Sequence, residues 1–426
     1  MTQVLKARAG KITEEMEAVA LYEQVDVEFV RSGVAEGRIV IPRNINRKPF
    51  RYCGIGEGMR VKVNALIGTS SNRDDMAMEA RKLQAAQDAG CDTFMDLSTG
   101  SGIDAMRRQT LDMAGVAVGC TTIYQAGQDA IEKYGSVVEM RTKDILDNIE
   151  KQAAEGMDFM AIHSAFNNYV LKVMQKTGRV TWVVSRGGAF ITGWMLHNKK
   201  ENPLFEHYDR ILEILKAYDV TLSLGDAIRP GATADSLDGA QIQGLLVQGD
   251  LTKRAQAAGV QVMVEGPGHV PLNHVEATMK LQKRLCNNAP YFILGTLATD
   301  VAPGYDNITG AIGGAFAGAC GADFLCYLTP AEHLGLPLEE DVRTGVITTK
   351  MAAQIADVAR GHKQAIAREN EMARARVTMD IDRQIKAALA PDKLIAAKEK
   401  GCGQHLCAVC VEGCAVQEAA RYFGIA

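Results

Sequence analysis

Val61-Lys-Val-Asn-Ala-Leu-Ile67, the amphipathic stretch Asp74 to Ala89, and Thr93-Phe-Met-Asp-Leu97 follow one another without interruption. Short β-branched or apolar runs suit buried strands, and a longer stretch with apolar positions three and four apart suits a helix packed over them. The same alternation continues through Val116-Ala-Val-Gly-Cys120, Phe159-Met-Ala-Ile162, Thr181-Trp-Val-Val184, Thr221-Leu-Ser-Leu224, Gln261-Val-Met-Val264, Tyr291-Phe-Ile-Leu294 and Asp323-Phe-Leu-Cys326. Helical patterns such as Tyr208 to Tyr218 lie between the runs. Repeated βα units imply a parallel sheet with right-handed crossovers.

Polar or glycine residues follow nearly every run: Gly68-Thr-Ser, Asp96-Leu-Ser-Thr-Gly100, His163-Ser, Ser185-Arg-Gly-Gly188, Gly225-Asp226 and Glu265-Gly-Pro-Gly-His269. A (β/α)8 TIM-like barrel builds its active-site mouth from such strand ends, and this α/β fold is the expectation. An open doubly wound sheet is the alternative. Nine strand-like runs compete for the eight places of a barrel, so one of them lies outside it or is not a strand.

Four segments are expected: an N-terminal segment at 1–57, a barrel catalytic domain at 58–339, a highly charged helical region at 340–400 and a cysteine tail at 401–426. The first opens with an acidic helical stretch, Ile12 to Glu23, and is too short for an independent core. The tail is bordered by Gly401-Cys-Gly403 and closes with a short helix through Gln417 to Phe423. Of 426 residues 47% are hydrophobic, enough to fill one large core, and the net charge of −4 gives no reason to invoke nucleic acid or a membrane surface. The opening Met1-Thr-Gln-Val-Leu-Lys-Ala-Arg8 carries no apolar leader and no stretch approaches a membrane span, so a cytoplasmic protein with reduced thiols is expected.

Cys53, Cys91, Cys120, Cys286, Cys320 and Cys326 are scattered, as small buried hydrophobes are. Cys407-Ala-Val-Cys410-Val-Glu-Gly-Cys414 is different, because three thiolates so close together suit a metal or an iron–sulfur cluster. With Cys402 added, a structural zinc site also fits, although zinc knuckles usually divide their ligands between two separated pairs. A cubane on three cysteines leaves one iron free for a small molecule.

At the expected barrel mouth, His269 and His333 each stand near a carboxylate, Glu265 and Glu332, and together suit a divalent metal with open positions. Either histidine alone is more readily a hydrogen-bonded structural residue, and it is their shared place at the mouth that favours a ligand role. Ser185-Arg186-Gly187-Gly188 offers a guanidinium, a hydroxyl and free N–H groups, a cradle for phosphate or carboxylate; its plain alternative is a turn with a solvated arginine. Asp226-Ala-Ile-Arg229 adds a second arginine and a carboxylate, and the two corners suit a small phosphorylated substrate. His163 is either a proton carrier or a rim histidine, and Tyr124 reads as packing more readily than as a ligand. A barrel metal hydrolase or aldolase with a zinc tail, or a metal-binding regulator, remains compatible with these residues.

Taken together, the residues resemble the thiamine pyrimidine synthase (phosphomethylpyrimidine synthase) family of radical S-adenosylmethionine enzymes, which rearrange aminoimidazole ribotide. The likeness rests on Ala7-Arg-Ala-Gly-Lys-Ile-Thr-Glu-Glu-Met16, Met95-Asp-Leu-Ser-Thr-Gly100, Ile123-Tyr-Gln-Ala126, Val184-Ser-Arg-Gly-Gly188, Glu265-Gly-Pro-Gly-His-Val-Pro271, Val301-Ala-Pro-Gly-Tyr-Asp306 and Glu332-His-Leu-Gly-Leu-Pro337. The resemblance implies a [4Fe-4S] cluster on Cys407, Cys410 and Cys414, with S-adenosyl-L-methionine on the free iron and an external electron donor. It implies zinc or another divalent metal on His269 and His333. Contacts to 5-aminoimidazole ribotide would come from Met95, Tyr124, His163, Ser185, Arg186, Gly187, Asp226, Arg229 and Glu265, with His163, Asp226 and Glu265 moving protons. It further implies a homodimer in which the tail serves the partner subunit. Cys402 is left as a neighbour.

The departures from the family pattern concern the presumed pocket. Where the pyrimidine synthases read Asn-Ala-Asn-Ile-Gly, this chain has Asn64-Ala-Leu66-Ile-Gly68, and their Phe-Tyr pair is reversed as Tyr291-Phe292. Gly225-Asp-Ala227-Ile-Arg-Pro-Gly231 and Ile162-His-Ser164-Ala165 also differ, and Cys410 and Cys414 stand one residue closer than in the usual cluster motif. An amide lost at Leu66 and a phenol lost at Phe292 change how a shared substrate is held. The expectation is the paralogous 5-hydroxybenzimidazole synthase activity, which makes the lower-ligand precursor of cobamides from the same ribotide. Pyrimidine synthesis is the alternative.

Overall fold

Eight parallel strands close on themselves in the computed structural model, which describes residues 1–70, 74–399 and 414–424. In chain order the strands among the described residues are β1 (Ile39–Val40), β2 (Ile55–Gly56), β3 (Lys62–Ile67), β4 (Thr93–Asp96), β5 (Ala117–Thr121), β6 (Phe159–Ile162), β7 (Thr221–Leu224), β8 (Val262–Gly266), β9 (Tyr291–Leu294) and β10 (Phe324–Cys326). β3 to β10 form the barrel in sequence order, and β10 closes it by pairing with both β9 and β3. β1 and β2 pair antiparallel outside it. Helices such as Met76–Asp88, Ile103–Met113 and Leu272–Leu285 connect the strands, as the (β/α)8 reading expects.

The barrel is a packed core below its mouth. Phe292 and Phe324 stack with ring centres 4.1 Å apart, and Phe159 meets Phe324 edge-on. Met95, Ala161 and Met263 join them in one buried cluster. Residues alternating toward the axis fill the interior because successive strand side chains point to opposite faces.

Thr181–Val184 is the run that is not a strand. The β-branched residues suggested one, but Trp182 sits at φ 47° and, like Val184, is exposed to solvent. The segment is held by Asp235, whose carboxylate accepts from the backbone N–H groups of Val180 and Thr181 at 2.9 and 3.0 Å and from the Thr181 hydroxyl at 2.7 Å. A bulky residue with left-handed backbone cannot continue a strand ladder. Ser185 therefore does not end a strand; it caps the helix Arg186–Asn198, accepting from the Gly188 N–H.

The segment before β3 covers the N-terminal end of the barrel and leaves the opposite end open. Its contacts fall on residues that precede or open strands: Gln3 N–H to Asp219 at 2.8 Å, Asn44 N–H to Asp158 at 3.0 Å, Ile41 with the Gln261 amide at 2.7 and 3.0 Å, and the buried pair Glu23–Lys62 at 3.1 Å. Arg47 meets Asp158 at 3.2 Å and donates to the carbonyls of Leu111, Ala114 and Val116. Burial pushes the Asp158 carboxyl up to about 6 while Arg47 pulls it down. Arg47→Lys keeps a positive charge but cannot reach three carbonyls as well. Urea unfolding is expected to show a loss of about 2 kcal/mol, the scale of two lost hydrogen bonds.

Two compact units divide the chain, Met1–Ala356 and Asp357–Ala426. Within the second, the helices Lys363–Val377 and Ile381–Ala387 are joined by the Glu371–Arg383 ion pair at 2.8 Å, and Asp392–Glu399 and Ala415–Tyr422 follow. Among the described residues no helix is long and apolar enough to cross a membrane.

Candidate active site

A cavity with about 550 Å³ of free space, counted to its open mouth, lies at the C-terminal ends of the barrel strands. Leu66, Met95, Thr121, Glu265, Phe292 and Cys326 reach it from the strands. Tyr124 enters from the first turn of the helix Thr122–Tyr134, and His163, Ser185 and Arg229 from the loops and cap that follow β6 and β7. Of the residues expected to touch substrate, Met95, Tyr124, His163, Ser185, Arg229 and Glu265 thus line one cavity. Arg186, Gly187 and Asp226 adjoin these lining residues, at Tyr124, His163 and Arg229 respectively.

His163 is buried, and its Nε2 lies 2.9 Å from the Ser185 hydroxyl. Its Nδ1 is buried without a protein partner, an atom left for water or a ligand. Burial, reinforced by the positive charge of Arg229, lowers its pKa to about 3, so the imidazole is neutral across the physiological range. Two glycines make room for the ring. A Cβ at Gly187 would lie 2.5 Å from it, and one at Gly225 would lie 3.0 Å away.

The carboxyls move the other way. Burial raises Asp226 to about 6 against the pull of Arg229, and burial raises Glu265 although the Ser223 hydroxyl donates to it at 2.7 Å. Arg229 donates to the Asp226 carbonyl at 3.3 Å. Arg186 lies over the Tyr124 ring at 5.4 Å from its centre, while burial raises the phenol. A neutral imidazole, one reluctant carboxyl and a cation lining one cavity, with the Asp226 carboxyl adjoining Arg229, suit a small ligand with both an anionic group and N–H or O–H donors.

His269 and His333 come together with ring centres 5.6 Å apart. Each Nδ1 donates to a carboxylate at 2.8 Å, Asp300 for His269 and Asp306 for His333. A carboxylate only accepts, so each ring carries its proton on Nδ1 and presents the Nε2 lone pair, the usual arrangement of histidine ligands. The pair therefore fits a divalent metal. Among the described residues no cluster of three His, Cys, Asp or Glu groups forms around it. Asp300 and Asp306 are not singled out by sequence; the signal for them is that a ligating histidine needs an acceptor for the N–H on its other ring nitrogen.

Cys407 and Cys410 lie outside the described residues, as does Cys402. Cys414 is half-buried and occupies the cap position before Ala415–Tyr422, where the helix N-terminus favours an anion. Cys53, Cys91, Cys120, Cys286 and Cys326 are buried free thiols, Cys326 in the cavity wall.

These features define a (β/α)8-barrel enzyme with its reactive groups gathered at the C-terminal mouth. A model of the Radical SAM ThiC family matches residues 2–421, and the chain belongs to that family. It is similar, at 66% identity over the whole of both chains, to 5-hydroxybenzimidazole synthase BzaB of Moorella thermoacetica, and at 62% to the BzaB of Eubacterium limosum, again over full length. It is 52% identical to the phosphomethylpyrimidine synthase of Moorella thermoacetica, over 100% of this chain and 99% of that one. Family membership implies S-adenosylmethionine and an iron–sulfur cluster.

Proposed function

We propose that this chain converts 5-aminoimidazole ribotide to 5-hydroxybenzimidazole. The observation that carries the reading is a contrast within one organism: identity to the Moorella benzimidazole synthase is 66%, and to the Moorella pyrimidine synthase 52%. Leu66 and Phe292, where the pyrimidine synthases have polar side chains, both line the cavity and agree with it. A homodimer and an external one-electron donor belong to the same reading.

Cys407, Cys410 and Cys414 would hold a [4Fe-4S] cluster through their thiolates, and His269 and His333 zinc or another divalent metal through Nε2. When bound, cluster and S-adenosylmethionine supply a carbon-centred radical, and the divalent metal a Lewis acid. The chain's own residues do the rest. Arg229 and Arg186 grip the anionic end of the ribotide, with the Ser185 hydroxyl beside them. Asp226 and Glu265 accept its N–H and O–H hydrogens, and His163 exchanges a proton through its unpartnered Nδ1. The apolar wall of Leu66, Met95, Phe292 and Leu294 excludes water from reactive intermediates.

Anaerobic incubation with the ribotide, S-adenosylmethionine and a reductant is expected to yield fluorescent 5-hydroxybenzimidazole. Hydroxymethylpyrimidine phosphate as the product would reject the reading.

Acid is expected to weaken ribotide binding. Asp226 titrates at about 6 in the folded protein, so its accepting carboxylate is present above that pH and lost below it. The substrate phosphate also gains a proton near there, at a pKa of about 6. The diagnostic is therefore a difference: Asp226→Asn should bind more weakly at pH 7.5 and show an acid limb shallower by about one proton. Equal slopes in calorimetric titrations would exclude this role for Asp226.

A further inference from the structure

Asp300 has two oxygens and two jobs. Oδ1 accepts from His269 Nδ1 at 2.8 Å, and Oδ2 accepts from both the backbone N–H and the hydroxyl of Thr233 at 2.8 Å. Thr233 belongs to the loop after β7 that carries Asp226 and Arg229. Two residues on, Asp235 takes the three hydrogen bonds from Val180 and Thr181, in the loop that runs into Ser185 and Arg186. Arg179 closes the same unit, gripping Asp238 at 2.6 and 2.8 Å and the Ile228 carbonyl at 2.6 Å. Hydrogen bonds at Asp300 and Asp235, joined by the short stretch of chain from Thr233 to Asp235, thus connect His269 to both loops.

The turn that delivers Asp300 is strained and overdetermined. Thr296, β-branched and fully buried, is held at φ 72°, a conformation such residues avoid. It stays there because Leu297 exchanges backbone hydrogen bonds with Gly268 at 2.7 Å and Val270 at 3.0 Å, the residues on either side of His269. The helix Asp306–Cys320 locks the turn from behind. Its Gly313 lies so close that a Cβ there would be 2.0 Å from the Thr296 carbonyl oxygen. A surface aspartate with no task beyond solvation does not require such a support.

We propose that Asp300 is a positioning residue that couples metal binding at His269 to ribotide binding by the 226–238 and 179–188 loops. The inference rests on the proposed function for the identity of the two ligands. Metal at His269 Nε2 fixes the imidazole, the imidazole fixes Oδ1, and the rigid carboxylate then presents Oδ2 to Thr233. Ribotide on Arg229 and Ser185 stabilises the same arrangement from the other side. By linkage each ligand raises the affinity of the other by the same factor.

The test uses the full-length, cluster-reconstituted protein under anaerobic conditions, with zinc affinity read by chelator competition and ribotide affinity by calorimetry with and without zinc. Zinc is expected to tighten ribotide binding in the unaltered protein by at least about fivefold. Asp300→Asn is expected to weaken zinc by about 10–100-fold, because one amide cannot accept on both sides; with its NH2 toward His269 the wrong nitrogen is protonated for ligation. Thr233→Val separates the two jobs. It leaves His269 its acceptor and keeps the backbone N–H at 233, so zinc affinity should stay within about twofold, while loss of the hydroxyl link should measurably reduce the zinc-dependent gain in ribotide affinity. Unchanged zinc affinity in Asp300→Asn, or an undiminished gain in Thr233→Val, would overturn the coupling and leave the proposed function standing. Absence of ribotide binding in the unaltered protein, with and without zinc, would overturn both.

Discussion

Arg229→Gln is expected to lower kcat/KM for the ribotide by about a thousandfold. Arg229 is a cation in the cavity wall, and it biases three groups whose protonation is set first by burial. A charge pair about 4 Å apart at the effective dielectric of a protein site is worth about 4 kcal/mol, which corresponds to three powers of ten in rate. If the arginine grips the anion equally in ground and transition states, the loss falls on KM and kcat is spared. A second signature follows from the signs of the shifts. Arg229 opposes the burial-driven rise of Asp226 and Glu265, so its removal moves both upward, and the acid limb of the pH profile should shift to higher pH. The same change relieves His163, whose pKa rises from about 3 toward the ordinary imidazole value but is still held below it by burial. Folding should be nearly indifferent, because the guanidinium's hydrogen bond within the protein is to the Asp226 carbonyl. A kcat/KM within threefold of the unaltered enzyme would remove Arg229 from the binding site.

The barrel was legible because its strands are short, apolar and bordered by glycine or polar residues, so their period and punctuation agree. The error at Thr181–Val184 has a plain physical origin. Composition favoured a strand, but the segment's backbone groups are claimed by Asp235, a partner 54 or 55 residues away that no local pattern announces. The same limit explains why Asp300 and Asp306 were missed. Their sequence neighbours were recognisable, but a carboxylate becomes a histidine's orienting partner only when two strand-end loops meet. The sequence reads His163 as an even choice between proton carrier and rim residue, and the room that Gly187 and Gly225 leave for its ring is a property of packing that no local pattern announces.

The departures at Leu66 and Phe292 carry the second large effect, because they change what the cavity can hold without changing its frame. The backbone at Leu66 is pinned by the Tyr327 hydroxyl, which donates to its carbonyl at 2.8 Å, so an asparagine there would present its amide from the same point of the wall. Phe292 stands beside Glu265 in the strand register and stacks on Phe324, so a tyrosine would keep the ring and add a hydroxyl near that carboxyl. In Leu66→Asn/Phe292→Tyr, two new hydrogen-bonding groups compete for a polar intermediate that the apolar wall leaves free to reorganise. Two such bonds at up to about 1.5 kcal/mol each approach 3 kcal/mol, enough for about a hundredfold change in partition between product channels. The expected result is continued cleavage of S-adenosylmethionine with 5-hydroxybenzimidazole per 5′-deoxyadenosine falling by about that factor. The ratio is the informative quantity, since a merely damaged pocket would slow both together. If the ratio holds while both rates fall, these two side chains shape the cavity but do not steer the reaction, and Ala227 and Ser164 become the next positions to exchange, since their neighbours Asp226 and His163 would then be placed differently rather than contacted differently.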